Sequence, residues 1–239
     1  MCNNMMDRMA CHSVSARVLG ILLAALLPFA KVSAQELEYK MEIGPMLGGS
    51  FYLGDANYSS FYSHTKGAAG ALLRYNLNPR MAVKFNLAYA GVGGNSAERS
   101  NKYPDAKNWK FDSSVYDASF TYELNFFSFG TGTAGYKGNK RFTPYIQLGL
   151  GFTYAKGVEP EGSEFAVNLP FGFGFKYKVM DRLNVGLDWS MHFTTTDKID
   201  GIVDPYGIKG SMFKNRDSYC TTMLYVTYDF LPKRRKCNN

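Results

Sequence analysis

Asp188, Ser190 and His192 stand two apart along one segment, and an acid, a hydroxyl and an imidazole are the parts of a nucleophilic site that could cut or transfer a lipid acyl chain. The spacing argues against it. On an extended strand, residues two apart project in parallel with Cβ atoms ~7 Å apart, whereas a nucleophile and its base need ~3 Å between heavy atoms. The trio reads as polar packing near one rim of a sheet, and no catalytic residue is expected. Gly91-Val92-Gly93-Gly94 and the glycine-rich stretch Gly130 to Gly138 introduce no helical pattern, so a phosphate-binding loop is not supported. Histidine and cysteine spacing offers no metal site, and no cofactor is expected.

Two charge constellations are more informative. The first comprises Lys40, Arg74, Lys84, Lys176 and Lys178 against Glu42, Asp117, Glu123, Asp188 and Asp229. All lie on the less apolar faces of their segments. Five bases against five acids can pair, and buried charges must pair. The second is basic: Arg80, Lys137, Lys140, Arg141, Arg182, Lys233, Arg234, Arg235 and Lys236, with Asp181 as the acid among them. Such a cluster steers acidic partners in a salt-dependent way. It could equally face anionic lipid headgroups.

The segments that carry these charges repeat one pattern. Apolar side chains recur every second residue in eight runs: Met41, Ile43, Pro45, Leu47 and Phe51; Ala69 to Leu77; Met81 to Tyr89; Tyr116 to Phe126; Ile146 to Tyr154; Val167 to Val179; Leu183 to Phe193; and Thr222 to Phe230. Period two is the signature of a strand with one apolar face. The runs are about ten residues or more, where globular strands average five or six, and a tilted strand of ~10 residues crosses an apolar band ~25 Å tall. Asn78-Pro79-Arg80 and Met180-Asp181-Arg182 are tight connections, and Gly130 to Lys140 is of modest length. Leu53 to Lys66, Val92 to Asp112, Ala155 to Glu164 and Thr194 to Asp217 are longer. Short and long alternate strictly, which predicts eight antiparallel strands with short turns at the end holding both termini.

Two barrels fit that pattern: a soluble one with the apolar face inward, and a membrane one with it outward. The opposite faces carry Ala82, Ala88, Ala90, Gly149, Gly151, Gly172, Gly174 and Gly186. A watered sheet surface gains nothing from residues that weaken strands, while a narrow bore needs small residues to admit large ones from across it. The reading is therefore an all-β chain: an eight-stranded antiparallel transmembrane barrel of the outer-membrane type. Eight strands leave no aqueous channel, so the paired charges are expected to plug the bore rather than line an ion path.

Composition and the first residues agree. There are 18 Phe, 17 Tyr and 24 Gly, with 20% charged residues, as at a water–lipid boundary. Arg8 and Arg17 precede an apolar stretch from Val18 to Phe29, too short for a spanning helix of ~20 residues. Val32-Ser33-Ala34 then forms a small-residue cleavage site. Residues 1–34 are expected to be a signal peptide, 35–232 the barrel and 233–239 a basic periplasmic tail. Removing Arg8, Arg17, Lys31 and Asp7 lowers the formal charge from +7 to +5, no nucleic-acid signature for an exported chain. Cys2 and Cys11 leave with the leader. Cys220 and Cys237 flank an extended strand too long for a disulfide, and Cys237 is left as a free or intermolecular thiol.

Four segments resemble a known family. Glu38 to Asp55 (EYKMEIGPMLGGSFYLGD), Arg74 to Gly94 (RYNLNPRMAVKFNLAYAGVGG), His192 to Ile202 (HFTTTDKIDGI) and Asn215 to Phe230 (NRDSYCTTMLYVTYDF) are similar to PorG-like outer-membrane proteins of the type IX secretion system. The opening glycine-rich strand and the Asn-Pro-Arg turn carry most of the likeness. The final strand ends at Phe230, similar to the aromatic terminus that outer-membrane assembly machinery reads. The resemblance implies a non-enzymatic integral outer-membrane barrel, with both termini in the periplasm, that anchors a periplasmic ring of lipoprotein and partner subunits and is not itself the translocation pore. The alternatives are a standalone OmpX- or OmpA-like adhesive or membrane-stabilising barrel, and a lipid-modifying enzyme using Ser190 and His192. Outer-membrane lipid is an expected partner on any of these readings; nucleic acid and small-molecule substrates are not.

Overall fold

The computed structural model describes residues 39–53, 62, 64–95, 110–130, 139–158, 162–196 and 217–232. The expected signal peptide, Lys137, Cys237 and the basic tail with Lys233, Arg234, Arg235 and Lys236 lie outside the described residues. Eight strands run in chain order: β1 (Tyr39–Leu53), β2 (Lys66–Asn78), β3 (Met81–Asn95), β4 (Lys110–Asn125), β5 (Phe142–Val158), β6 (Gly162–Met180), β7 (Leu183–Thr194) and β8 (Ser218–Pro232). Each pairs antiparallel with the next, and β8 pairs with β1, so the sheet closes into a barrel. Closure leaves no open strand edge, and every ladder finds a partner, which is what a chain in lipid requires. The β1–β8 ladder steps from Ile43↔Tyr228 to Met46↔Tyr225, passing over Gly44 and Pro45; a proline has no N–H to offer a ladder.

Local chemistry explains the tight turns. Between β2 and β3, the Asn78 side-chain carbonyl accepts the Arg80 backbone N–H at 2.9 Å. That interaction replaces a backbone turn bond, while Pro79 presets its own φ. Asp181 and Arg182 join β6 to β7.

Strict alternation of the connections fails at one pair. β5 continues to Val158 and β6 begins at Gly162, so the loop expected over Ala155 to Glu164 shrinks to residues 159–161. The β4–β5 connection over 126–141 at the opposite end is longer. The cause is ladder pairing: Ala155↔Glu164, Lys156↔Ser163 and Val158↔Gly162 carry the hairpin upward, and Gly157 and Gly162 take the positive φ angles that its bulge and tip need. The end holding Tyr39 and Pro232 is the terminal end of the barrel, and the other is its loop end.

Parity along each strand separates the surfaces. Leu47, Leu150, Phe120 and Leu224 are each more than 60% exposed, and they belong to an apolar outer belt carried by the strands all round the barrel. Two sets of tyrosines border it: Tyr75, Tyr177 and Tyr228 toward the terminal end, and Tyr89, Tyr116 and Tyr154 toward the loop end. Phe51, expected on the outward stripe, is instead fully buried. The Tyr62 ring covers it at 4.7 Å, and Tyr62 shares a 3.2 Å hydrogen bond with Thr222 on β8, so this corner of the outer wall is roofed by chain.

Candidate functional site: a charge-filled bore and a basic rim

Inward positions of the strands meet in the bore. Glu123, on β4, is fully buried and central. It accepts hydrogen bonds from Arg74 at 2.9 and 3.1 Å and from Lys176 at 2.6 Å, and Lys84 lies 3.3 Å away. Arg74 also donates to Glu42 at 2.5 Å, and its guanidinium sits 5.2 Å from the Tyr225 ring centre. Lys84 pairs with Asp188 as well, and Lys178 pairs with Asp229 at 2.5 Å. Four cations and four carboxylates thus form one layer near the terminal end. Desolvated charges survive in such a layer because each is bonded to an opposite charge.

Uncharged groups complete the layer, and charge counting alone does not find them. Asn76 and Thr227 donate to Glu42 at 2.8 and 3.2 Å, and Asn184 donates to Asp229 at 2.6 Å. Tyr145 and Gln147 donate to Asp188 at 2.9 and 2.8 Å. The signal was available: each occupies the inward parity of its strand. Glycines make room for the tyrosines. Gly174 lies across the ladder from Tyr145, and Gly186 from Tyr225. A Cβ on either glycine would run into the facing phenol.

Lys40 departs from the expected set. It has the inward parity but is exposed. It is the second residue of β1, beyond the Glu42 layer, where a long side chain reaches water rather than the bore. Asp117 departs too, since among the described residues no lysine or arginine pairs with it. It accepts from Asn168 at 2.5 Å and Tyr219 at 3.0 Å, and His192 Nδ1 lies 3.6 Å away. The His192 ring stacks on Tyr219 at 4.5 Å. The Asp188, Ser190 and His192 trio therefore does not work as a unit: Asp188 binds Lys84, Tyr145 and Gln147, while His192 faces the carboxylate of another strand.

Among the described residues, two small spaces flank the charge layer. A cavity of about 20 Å³ adjoins Asp117, Ser119, Ser190 and His192, and one of about 30 Å³ adjoins Glu42, Asn125, Lys178 and Asp229. Each is of the size of one or two water molecules. At the terminal-end mouth, Phe129 is buried, its N–H bonds to the Pro79 carbonyl at 3.0 Å, and its ring lies under Lys176 and Lys178.

The described members of the basic rim are exposed at the terminal end but do not float freely. Arg182 donates to the hydroxyls of Tyr39 and Tyr228 at 3.0 and 3.1 Å. Lys140 stands 4.1 Å over the Phe127 ring. Arg80 lies 3.5 Å from Ser128 Oγ, and Arg141 is exposed beside them. Cys220 is a buried free thiol.

An apolar belt outside, tyrosines at both its margins and a charge-paired filling inside define a transmembrane β-barrel of the outer-membrane type. The chain belongs to the family described as Domain of unknown function (DUF6089), whose model matches residues 17–239. No curated protein matches it. Among solved structures, Neisserial surface protein A aligns at 12% identity, over 81% of this chain and 98% of that one, with a TM-score of 0.46. The attachment invasion locus protein Ail of Yersinia pestis, in complex with the heparin analogue sucrose octasulfate, aligns at 14% identity over 80% and 97%, with a TM-score of 0.43. The outer membrane protease OmpT of Escherichia coli aligns at 10% identity over 83% and 100%, with a TM-score of 0.38. Each likeness is one of barrel architecture, and a shared barrel does not carry a shared function.

Proposed function

We propose that this protein is a non-enzymatic barrel of the outer membrane, with both termini in the periplasm, that anchors periplasmic subunits of a secretion machine of the type IX kind. The observation that carries the anchoring reading is the filled bore. With three cations gathered on Glu123 and Phe129 set into the terminal-end mouth, the molecule offers its ends and walls to partners, not a passage. Arg80, Lys140, Arg141 and Arg182 stand exposed at the terminal end, where β8 also ends, and Lys233 to Lys236 come next in the sequence. This arrangement favours an acidic partner surface on that side. The choice of secretion machine rests on the resemblance of residues 38–55, 74–94, 192–202 and 215–230 to PorG-like proteins.

The test is recovery of periplasmic subunits with the tagged barrel from outer membranes. Arg80, Arg182 and Lys233 to Lys236 are changed to Glu in one variant. Arg182→Glu is made alone in another, because Arg182 also holds Tyr39 and Tyr228. Recovery is expected to fall several-fold in the first variant, with the barrel still folded, and cargo export to fall with it. Full recovery in that variant would reject docking through the rim. The second reading, a standalone adhesive or stabilising barrel, draws on the β5–β6 hairpin: strands of 17 and 19 residues exceed the ~10 that a membrane needs. On that reading the same charge reversal leaves export untouched.

A further inference from the structure

The outer wall is not evenly bulky. On β4 the outward residue Ala118 faces Leu87 across one ladder and Phe152 across the other. Tyr116 stands two residues nearer the loop end, with Tyr89 and Tyr154 on either side. The rings of Tyr89 and Tyr116 are 5.4 Å apart and those of Tyr116 and Tyr154 are 6.4 Å apart. One methyl group inside this ring of large side chains leaves a depression of about 460 Å³ on the apolar face, extending toward Ala69 and Phe165. The depression is shallow and open along the wall rather than enclosed, so it suits a chain lying against the barrel and not a ligand swallowed by it.

The depression has a polar upper margin. Tyr89 and Ser114 share a hydrogen bond of 3.2 Å through their hydroxyls, so this phenol points toward the loop end. Lys156 lies two residues beyond Tyr154 on the same outward face and is exposed. It makes no ion pair with a described residue, whereas nearby Lys66 is neutralised by Asp112. Read from the loop end downward, the wall presents a cation, then hydroxyls and aromatic rings, then an apolar hollow continuous with the belt that faces acyl chains.

We propose that this hollow is a binding site for one acyl chain of an anionic, phosphate-bearing lipid of the loop-end leaflet, with the head group at Lys156. The order of surfaces matches an amphiphile lying head-up along the wall. Lys156 is the cation that selects charge, and the tyrosines hold the chain's upper part at the interface. A second copy of the barrel or a protein partner would need no cation placed above an acyl-sized hollow.

The test uses the whole mature barrel in nanodiscs of phosphatidylcholine, with or without phosphatidylglycerol, followed by native mass spectrometry of the ejected protein. Wild type is expected to retain one phosphatidylglycerol in preference to phosphatidylcholine. Ala118→Phe fills the hollow from the exposed side and should reduce retention by about tenfold, a change expected from losing one modest contact set. Ala118→Leu serves the same purpose if the larger ring impairs folding, which heat-modifiable gel mobility reports. Lys156→Gln should keep a lipid but lose the preference for the anionic one. Equal retention in wild type and the filled variants overturns the proposal, as does retention without headgroup preference in wild type. A dimer that Ala118→Phe abolishes would also overturn it and assign the hollow to a second copy.

Discussion

Glu123 and Lys40 mark the two extremes of charge in this chain. Glu123 is fully buried and holds Arg74, Lys84 and Lys176. Changing it to Gln keeps the shape but strips three buried cations of their shared partner, and breaking a buried pair from one side costs about 3–5 kcal/mol. Glu123→Gln is therefore expected to lower the unfolding free energy, read from urea unfolding of the barrel refolded in micelles, by an amount in that range and to move the midpoint down with it. Lys40 is exposed, and substitutions at such sites usually stay within about 0.5 kcal/mol. Lys40→Gln should leave the midpoint in place. Equal effects of the two substitutions would contradict the location of the charge layer.

At the scale of strands, the barrel depends on pairing a large residue with a missing one. Tyr145 on β5 lies over Gly174 on β6 and donates to Asp188 on β7, so one contact ties three strands. A Cβ at Gly174 would meet both the phenol and the Leu187 carbonyl. Overfilling a tight interior costs ~1–3 kcal/mol, and Gly174→Val should destabilise the barrel by about that much. Tyr145→Ala in the same chain should recover part of the loss, because the two positions are in contact and their effects are not additive. Gly67→Ala is the control: nothing lies within 4 Å of a Cβ there, so unfolding curves should coincide with wild type.

At the scale of the barrel, the described residues fill the bore at the charge layer. The cavities beside Asp117 and beside Glu42, of about 20 and 30 Å³, are each too small to carry a water column through that layer. In planar lipid bilayers the inserted barrel is expected to give no steady open-channel current, while Glu123→Ala combined with Arg74→Ala, which removes the centre of the plug, should raise leak or noise. A constant conductance from wild type would mean that the bore opens. It would also remove the main support for an anchoring role.

Much of this was legible in residue order. Val167 to Val179 alternate so regularly that strand and apolar face follow from period two, because a pleated chain places every second side chain on the same side, and the small residues of the opposite faces supply the orientation. Nine of the ten charges assigned to the bore lie in it. Tertiary structure decided what the period cannot carry. Lys40 shares its parity with Glu42 yet sits past the filled layer, since parity gives a side chain's direction but not its height along the barrel. Asp117 meets His192 from three strands away because closure sets strands opposite one another across a bore, a relation no local pattern contains. The hollow at Ala118 likewise exists through the β3–β4–β5 register, which sets Leu87 and Phe152 beside it. The sequence by itself determined which faces are greasy and which are charged; the folded barrel alone decided which charges meet, because inter-strand register and closure arise from contacts far apart in the chain.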